Sequence, residues 1–339
     1  MEIRIAKYSE KQLILDFIDT YWQKGHIFVK WPELFDNYHK NGDLLNYVIA
    51  IDESEEKIYG VCGFIYANHR EKPDVWLALW KVIPSGIPGL GLDMVRYLYQ
   101  ELRCNILACC GIKKEVKRLY EFLGYKTGTL YHYYRLNEDK NYTIAYIQKK
   151  TDQPNGAKGV VLEKIDSEKQ FKDIMNYEEV FDVYVPYKDI KYFIKKYFHN
   201  IAYDYQVWGI RNKNNVIKAV LVTKSVAVGD SRALRIIDFV GDETELAKCG
   251  ASLDDIIKKE NYEYVDFYEY GLQEKTLLGL GMVLHDKKDG NIIPNYFEPF
   301  LLQNVDIHFF TNKIENFRMF KADGDQERPN CLYRKDSAL

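Results

Sequence analysis

Residues 84–102 read PSGIPGLGLDMVRYLYQEL. Three glycines, Gly86, Gly89 and Gly91, fall within six residues, and a helical pattern follows over Leu90–Arg103 with Leu92, Val95, Leu98 and Leu102 on one side. An apolar run, Val75–Ile83, comes just before. Strand, glycine loop and helix, in that order, turn unpartnered backbone amides toward an anion. Two familiar nucleotide loops do not fit. A Walker A loop ends in Gly-Lys-Ser/Thr, whereas Gly91 is followed by Leu92 and Asp93. A dinucleotide loop has GxGxxG spacing after an early strand and an acid closing the next one. Here the spacing is GxxGxG, the loop comes late, and the next apolar run ends in Cys109-Cys110.

Working outward, Glu2–Lys7 reads as a strand, with Ser9 capping a helix that carries Leu13, Ile14, Phe17, Ile18 and Tyr21. Pro32–Lys40 reads as a second helix. Asn46–Asp52 and Lys57–Asn68 form a hairpin over the acidic turn Glu53–Glu56, and Pro73–Ile83 is the third strand of the meander. After the glycine loop come a strand over Asn105–Cys110, a helix over Lys113–Leu123 stopped by Gly124, a strand over Tyr125–Leu136 broken at Gly128, and another over Tyr142–Gln148. Lys149–Gly159 has no apolar residue except Ala157, and marks a linker over 151–159 between a domain at 1–150 and one at 160–339.

Beyond the linker the order begins again. Strands are expected at Val160–Ile165, Tyr205–Arg211, Val216–Val228, Ala233–Val240 and Tyr264–Tyr268. Helices are expected at Ser167–Met175, Pro186–Phe198, Thr244–Glu260 and Gln273–Leu280. The halves match in order and length, the pattern of a duplicated domain.

The net charge of −3 argues against a nucleic-acid-binding surface. No apolar run approaches 18 residues, so no membrane span is expected. The N-terminus is too charged for a signal peptide, and a cytoplasmic protein is the expectation. The six cysteines form no CxxC pair and have no histidine at zinc spacing, so they read as buried small side chains and no metal is expected.

The meander, Gly89-Leu90-Gly91 opening a helix, a short strand, and Arg118-Leu-Tyr-Glu-Phe-Leu-Gly-Tyr125 together resemble the GNAT acyltransferase superfamily. The likeness covers residues 1–150. It implies an α/β fold with α+β mixed sheets, each a mostly antiparallel meander with a splayed parallel strand pair and flanking helices. It implies acetyl-CoA, or another acyl-CoA, as cosubstrate of an N-acetyltransferase acting on a small-molecule amine. By that likeness the coenzyme pyrophosphate lies on Gly86, Gly89, Leu90 and Gly91, and the pantetheine arm along Leu79, Lys81 and Val82, with Lys113 meeting a phosphate. An oxyanion donor on that strand is worth roughly 3–4 kcal/mol of barrier. Tyr120 stands where the family protonates the departing thiolate. The attacking amine must be neutral, which near pH 7 costs a lysine-like amine about 4.6 kcal/mol. Asp74 is the expected base, with Glu71, His69 and His132 as further candidates. The sequence departs from the family's pattern at Gly86, where Gln or Arg is usual, and at Lys113, where many members carry Asn. Pro88 also removes one amide donor from the loop.

The corresponding loop of the second half, Gly241-Asp-Glu-Thr-Glu245, carries three acids that repel a pyrophosphate, and Leu278 replaces the tyrosine. That half is expected to shape or bind the acceptor. Asp323, Asp325 and Glu327 alternate without the ligands of a calcium loop. A surface turn is the ordinary reading. The sharper one has Lys321 and Arg328 meeting an anionic acceptor. Pro294–Pro299 and this tail are similar to proteins of bacterial surface-polysaccharide synthesis, which suggests a nucleotide-linked amino sugar. The acceptor pocket is expected near Trp22, Trp31 and the domain interface. Two alternatives stay open: a non-catalytic scaffold with both halves degenerate, and an aminoacyl transferase.

Overall fold

The computed structural model of the chain describes residues 1–174 and 184–332. The first sheet contains β1 (Glu2–Lys7), β2 (Lys40–Asn41), β3 (Leu44–Asp52), β4 (Lys57–Tyr66), β5 (Asp74–Val82), β6 (Ile106–Ile112) and β7 (Lys126–Thr129). The second contains β8 (Tyr131–Leu136), β9 (Val161–Ile165), β10 (Gln206–Arg211), β11 (Ile217–Val228), β12 (Ser231–Gly241), β13 (Tyr264–Tyr270) and β14 (Val283–Leu284). Two short strands, β15 (Tyr296–Phe297) and β16 (Phe300–Leu301), form a separate hairpin. Near the C-terminus, β17 (His308–Thr311) joins the first sheet and β18 (Met319–Phe320) the second.

The spatial orders are β1-β3-β4-β5-β6-β17-β7 and β14-β8-β13-β12-β11-β10-β9. Read from opposite ends they share one plan: an antiparallel meander, one parallel pair, then an antiparallel strand lent by the other half. β17 sits between β6 and β7, and β8 sits between β13 and β14. The expected strand over Tyr125–Leu136 therefore breaks at Leu130 and serves two sheets. Gly128 lies within β7, where an added Cβ would come within 2.3 Å of the Phe309 ring on β17. The division of the chain at 151–159 stands as a proposal about folding units, across which the sheets exchange strands.

Helices cover both faces of the first sheet. The chain forms α1 (Lys11–Phe17), α2 (Ile27–Lys30) and α3 (Pro32–His39) on one face, and α4 (Leu90–Glu101) and α5 (Lys117–Phe122) on the other. This explains why β3 is apolar almost throughout. Tyr47 and Ile49 pack with Phe28 and Phe35, while Val48 and Ala50 pack with Met94 and Leu98. The second sheet is covered by α6 (Glu168–Ile174) and α7 (Ile190–Tyr197) on one face. Its other face packs α8 (Glu243–Leu246), α9 (Gly250–Lys259) and α10 (Glu274–Gly279).

Several local expectations shift. Ser9 does not cap the first helix; the Glu10 carboxylate instead accepts from the Lys7 amide at 2.7 Å and from Arg4. Asp189 caps α7, accepting from the Tyr192 amide, so that helix begins at Ile190. The helix expected over Thr244–Glu260 splits into α8 and α9. Tyr142–Gln148 contributes only an isolated bridge from Tyr146 to Ile292. Met175, the expected end of α6, lies outside the described residues.

The tail is not a surface turn. Asp323, Asp325 and Glu327 are all buried between the two halves. Lys188 pairs with Asp238 and Asp323, and Glu327 with Lys224 and Lys321. Burial pushes the Glu327 carboxyl up, but the two lysines outweigh it and leave its pKa at about 2.

Candidate active site

β5 and β6 are paired only over Asp74–Trp76 and Ile106–Ala108, and beyond Trp76 they part. On its other edge β5 pairs with β4, and the register shifts between Cys62↔Trp80 and Phe64↔Leu77. Ala78 and Leu79 thus oppose Gly63 alone, a bulge that frees backbone groups from the regular ladder midway along the wedge.

The glycine loop closes the wide end of this wedge. Gly86 has φ 75° and Gly89 φ 79°, and at neither would an added Cβ meet an atom within 4 Å. Glycine serves there for its conformation. Gly91 is helical and serves for space, since its Cβ would lie 3.1 Å from the Trp80 ring. Gly89 is the N-cap of α4, and no side chain caps the helix. The Leu92 and Asp93 amides bond the Gly89 carbonyl, so among the described residues the Leu90 and Gly91 amides and the positive end of the helix dipole stand free, a setting worth up to about 2 kcal/mol to an anion.

A hollow of about 620 Å³ opens at the loop. Val82, Gly86, Gly89, Leu90 and Gly91 line it, as do Trp80 and Leu119. Leu79 and Lys81 do not, because alternate strand side chains point away. Leu79 is buried against the α1–α3 face. Lys113 is exposed just past β6, outside the lining. Trp80 is the residue that sequence reasoning missed. Its indole Nε1 is buried and has no hydrogen-bond partner among the described residues, in a stretch where an aromatic reads as ordinary core.

Tyr120, on α5, lies between the wedge and the exchanged strand. Its ring stacks on Phe310 of β17 at 4.1 Å and sits 6.3 Å from the Trp80 ring. Burial, and next the neighbouring Cys109 thiol, raise its pKa above that of a free phenol. The group therefore holds its proton at neutral pH, the state an acid needs.

The place of Asp74 does not suit a base. It is 2 % exposed at the closed end of the β5–β6 pair. Oδ1 accepts from the Asn105 side chain at 2.7 Å and Oδ2 from the Tyr187 amide at 2.7 Å. Both oxygens are occupied in joining β5 to β6 and to the second half. His69 binds Asp189 at 2.7 Å on the surface between the halves. His132 is buried in the second sheet, against Asp266 at 3.1 Å and stacked on Tyr268. Glu71 is exposed. None of the three lines the hollow at the loop.

The second half has the same wedge, and the chain fills it. β12 and β13 pair over Leu234–Ile236 and Val265–Phe267 and then part. β18 enters the gap, pairing with β13 at Glu269 and Tyr270, and the Ala322 amide reaches Ile237 O of β12 at 3.1 Å. At the loop, Asp242 caps α8 with its own carboxylate, accepting from the Thr244 amide at 2.8 Å. Glu243 pairs with Arg318 from the tail and accepts from the Gln273 amide and the Thr276 hydroxyl at 2.6 and 2.7 Å. Of the three acids that would repel a pyrophosphate, Glu243 holds a guanidinium, Asp242 caps the helix and Glu245 pairs with Lys248.

Glu269, beside the inserted strand, carries a titration signature of this packing. Burial pushes its carboxyl up to about 7, against the pull of the Leu272 amide. An unfolded glutamate titrates near about 4.3, so the folded state holds the proton more tightly and stability falls as pH rises from there to about 7. Glu269→Gln is therefore expected to leave stability unchanged at pH 4 and to raise it by on the order of 2–3 kcal/mol at pH 8. Urea titrations at the two pH values check this, and equal shifts at both would contradict it.

No protein-family model matches the sequence, and no curated protein matches it. Solved structures do. A GCN5-related N-acetyltransferase from Anabaena variabilis aligns with TM-score 0.55 and 12 % identity over 91 % of this chain and 72 % of that one. A conserved protein from Enterococcus faecalis, described as a probable N-acyltransferase, aligns with TM-score 0.54 and 8 % identity over the same shares. At such identities the likeness is one of fold. Two mixed sheets, each with a parting parallel pair, and a glycine loop at one of the partings give this chain the fold of the GCN5-related N-acetyltransferases in tandem.

Proposed function

We propose that the chain is an acyl-CoA-dependent N-acyltransferase that moves an acetyl group to a small amine at its first wedge. The observation that carries this reading is the uncapped start of α4 at Gly89, set at the mouth of an open parting between β5 and β6. The amides of Leu90 and Gly91 would hold the coenzyme pyrophosphate. The free edge of β5 would take the pantetheine arm. Backbone amides at the Ala78–Leu79 bulge would face the thioester oxygen as charge develops there. The amine nitrogen bonds to the thioester carbon, the carbon–sulfur bond breaks, and the sulfur takes the Tyr120 proton. The proton lost by the amine leaves to water. A nucleotide-linked amino sugar is the acceptor we assign. An open, uncapped loop speaks against a scaffold with two degenerate halves.

The loop is tested by Gly89→Glu beside Gly89→Ala. Both carry the same backbone strain at φ 79°. Only the glutamate adds a charge where the pyrophosphate lies. Acetyl-CoA at 100 times its Kd adds about 2.7 kcal/mol of apparent stability. Thermal-shift scans should show that gain in the wild type, most of it in Gly89→Ala and none in Gly89→Glu. A full shift in Gly89→Glu would remove the loop from the binding site.

A further inference from the structure

A second cleft of about 620 Å³ lies between the halves, walled by α3 and the ends of β3 and β4 on one side and by α6 and α7 on the other. Trp22 and Trp31 do not line it. Five lysines do: Lys40, Lys172, Lys191, Lys195 and Lys196. Glu168 is the single carboxylate among the described lining residues, and it is already bound to Lys172 and His199. Lys196 is tied to the carbonyls of Ala322 and Gly324. Among the described residues, no carboxylate lies within ion-pair distance of Lys40, Lys191 or Lys195. Lys40 lies over the Tyr8 ring at 4.3 Å, which leaves Lys191 and Lys195 as the lining lysines without a carboxylate or ring partner among the described residues. Lys191 and Lys195 stand four apart on α7, one turn above the other.

The interior of the cleft is of another character. Tyr38, Ile65 and Ile194 supply an aromatic and aliphatic surface. A lysine rim over such a surface suits a ligand with a flat apolar body and a multiply charged anionic group. The deep end is Gly324, where an added Cβ would lie 3.3 Å from the Cβ of Trp76. Trp76 is the last β5 residue paired with β6 before the wedge opens. Trp76 itself is fully buried and lines neither this cleft nor the hollow at the glycine loop.

We propose that this cleft binds a nucleotide-type phosphorylated ligand, with its base against Tyr38 and its phosphates on Lys191 and Lys195. Its identity as the acceptor rests on the acyltransferase reading; its binding does not. The test is calorimetric titration of the full chain, saturated with acetyl-CoA, using uridine diphosphate, inorganic pyrophosphate and decanoate as probes. Uridine diphosphate should bind at least tenfold more tightly than either of the others, and rising salt should weaken it. Lys191→Ala/Lys195→Ala should weaken it at least tenfold while the acetyl-CoA thermal shift is unchanged. No binding of uridine diphosphate, equal binding in the double variant, or a preference for decanoate would each overturn the proposal. If uridine diphosphate binds as expected but acetyl-CoA gives no shift, the cleft stands and the acyltransferase reading falls. The converse result removes the cleft alone.

Discussion

Tyr120→Phe should lower kcat by about a hundredfold or more, the range of a lost general acid, and leave acetyl-CoA affinity within about twofold. The split follows from the setting. The ring stacks on Phe310 and faces Trp80, and phenylalanine keeps both contacts, so neither the fold nor the wedge changes shape. What disappears is the one proton that the account delivers to sulfur. Because burial raises the phenol's pKa, wild-type turnover should lose nothing to Tyr120 ionisation up to about pH 10. Steady-state kinetics and a coenzyme titration on the same preparation measure both halves of the split. Unchanged turnover would take Tyr120 out of the mechanism.

The second large effect falls on stability, far from the reaction. Arg318→Ala should cost about 3–5 kcal/mol, because it leaves Glu243 buried and charged without its cation. Arg318 also lies over the Tyr184 and Phe239 rings, so packing is lost with the charge. Arg318→Met restores part of that packing and should still be strongly destabilised. Adding Glu243→Gln should recover most of the loss, since a neutral amide can still engage Gln273 and Thr276. Urea unfolding of Arg318→Ala, Glu243→Gln and the double variant gives the coupling directly. Additive losses would mean that the pair contributes little and that β18 is held in the second wedge by its backbone alone.

What the sequence made legible is what short-range chemistry encodes. The glycine spacing, the meander before it and the leucines of α4 are local patterns, and the elements stand where those patterns place them. The acids of the second loop were equally legible. Their partner was not, since Arg318 lies 75 residues from Glu243. The same distance problem hid the strand exchange. His308-Phe-Phe-Thr311 is four residues long, and nothing in its alternation says that it pairs with Cys110 and Gly128 in the other half. Asp74 could be seen as an acid at a strand start, but its partners Asn105 and Tyr187 lie 31 and 113 residues away. The tail's alternating acids looked solvated because Lys188 and Lys224 are remote in sequence. In each case the identity of the residue was plain and its environment was set by a segment no local window contains.

On the proposed reading one wedge is open to a coenzyme and the other is closed by the chain itself. The stoichiometry of acetyl-CoA binding, measured by titration calorimetry on the full chain, tests it most directly. One coenzyme per chain is expected, abolished by Gly89→Glu. Two per chain would mean that β18 and Arg318 do not close the second wedge, and none would mean that the loop at Gly86–Gly91 is not a coenzyme seat.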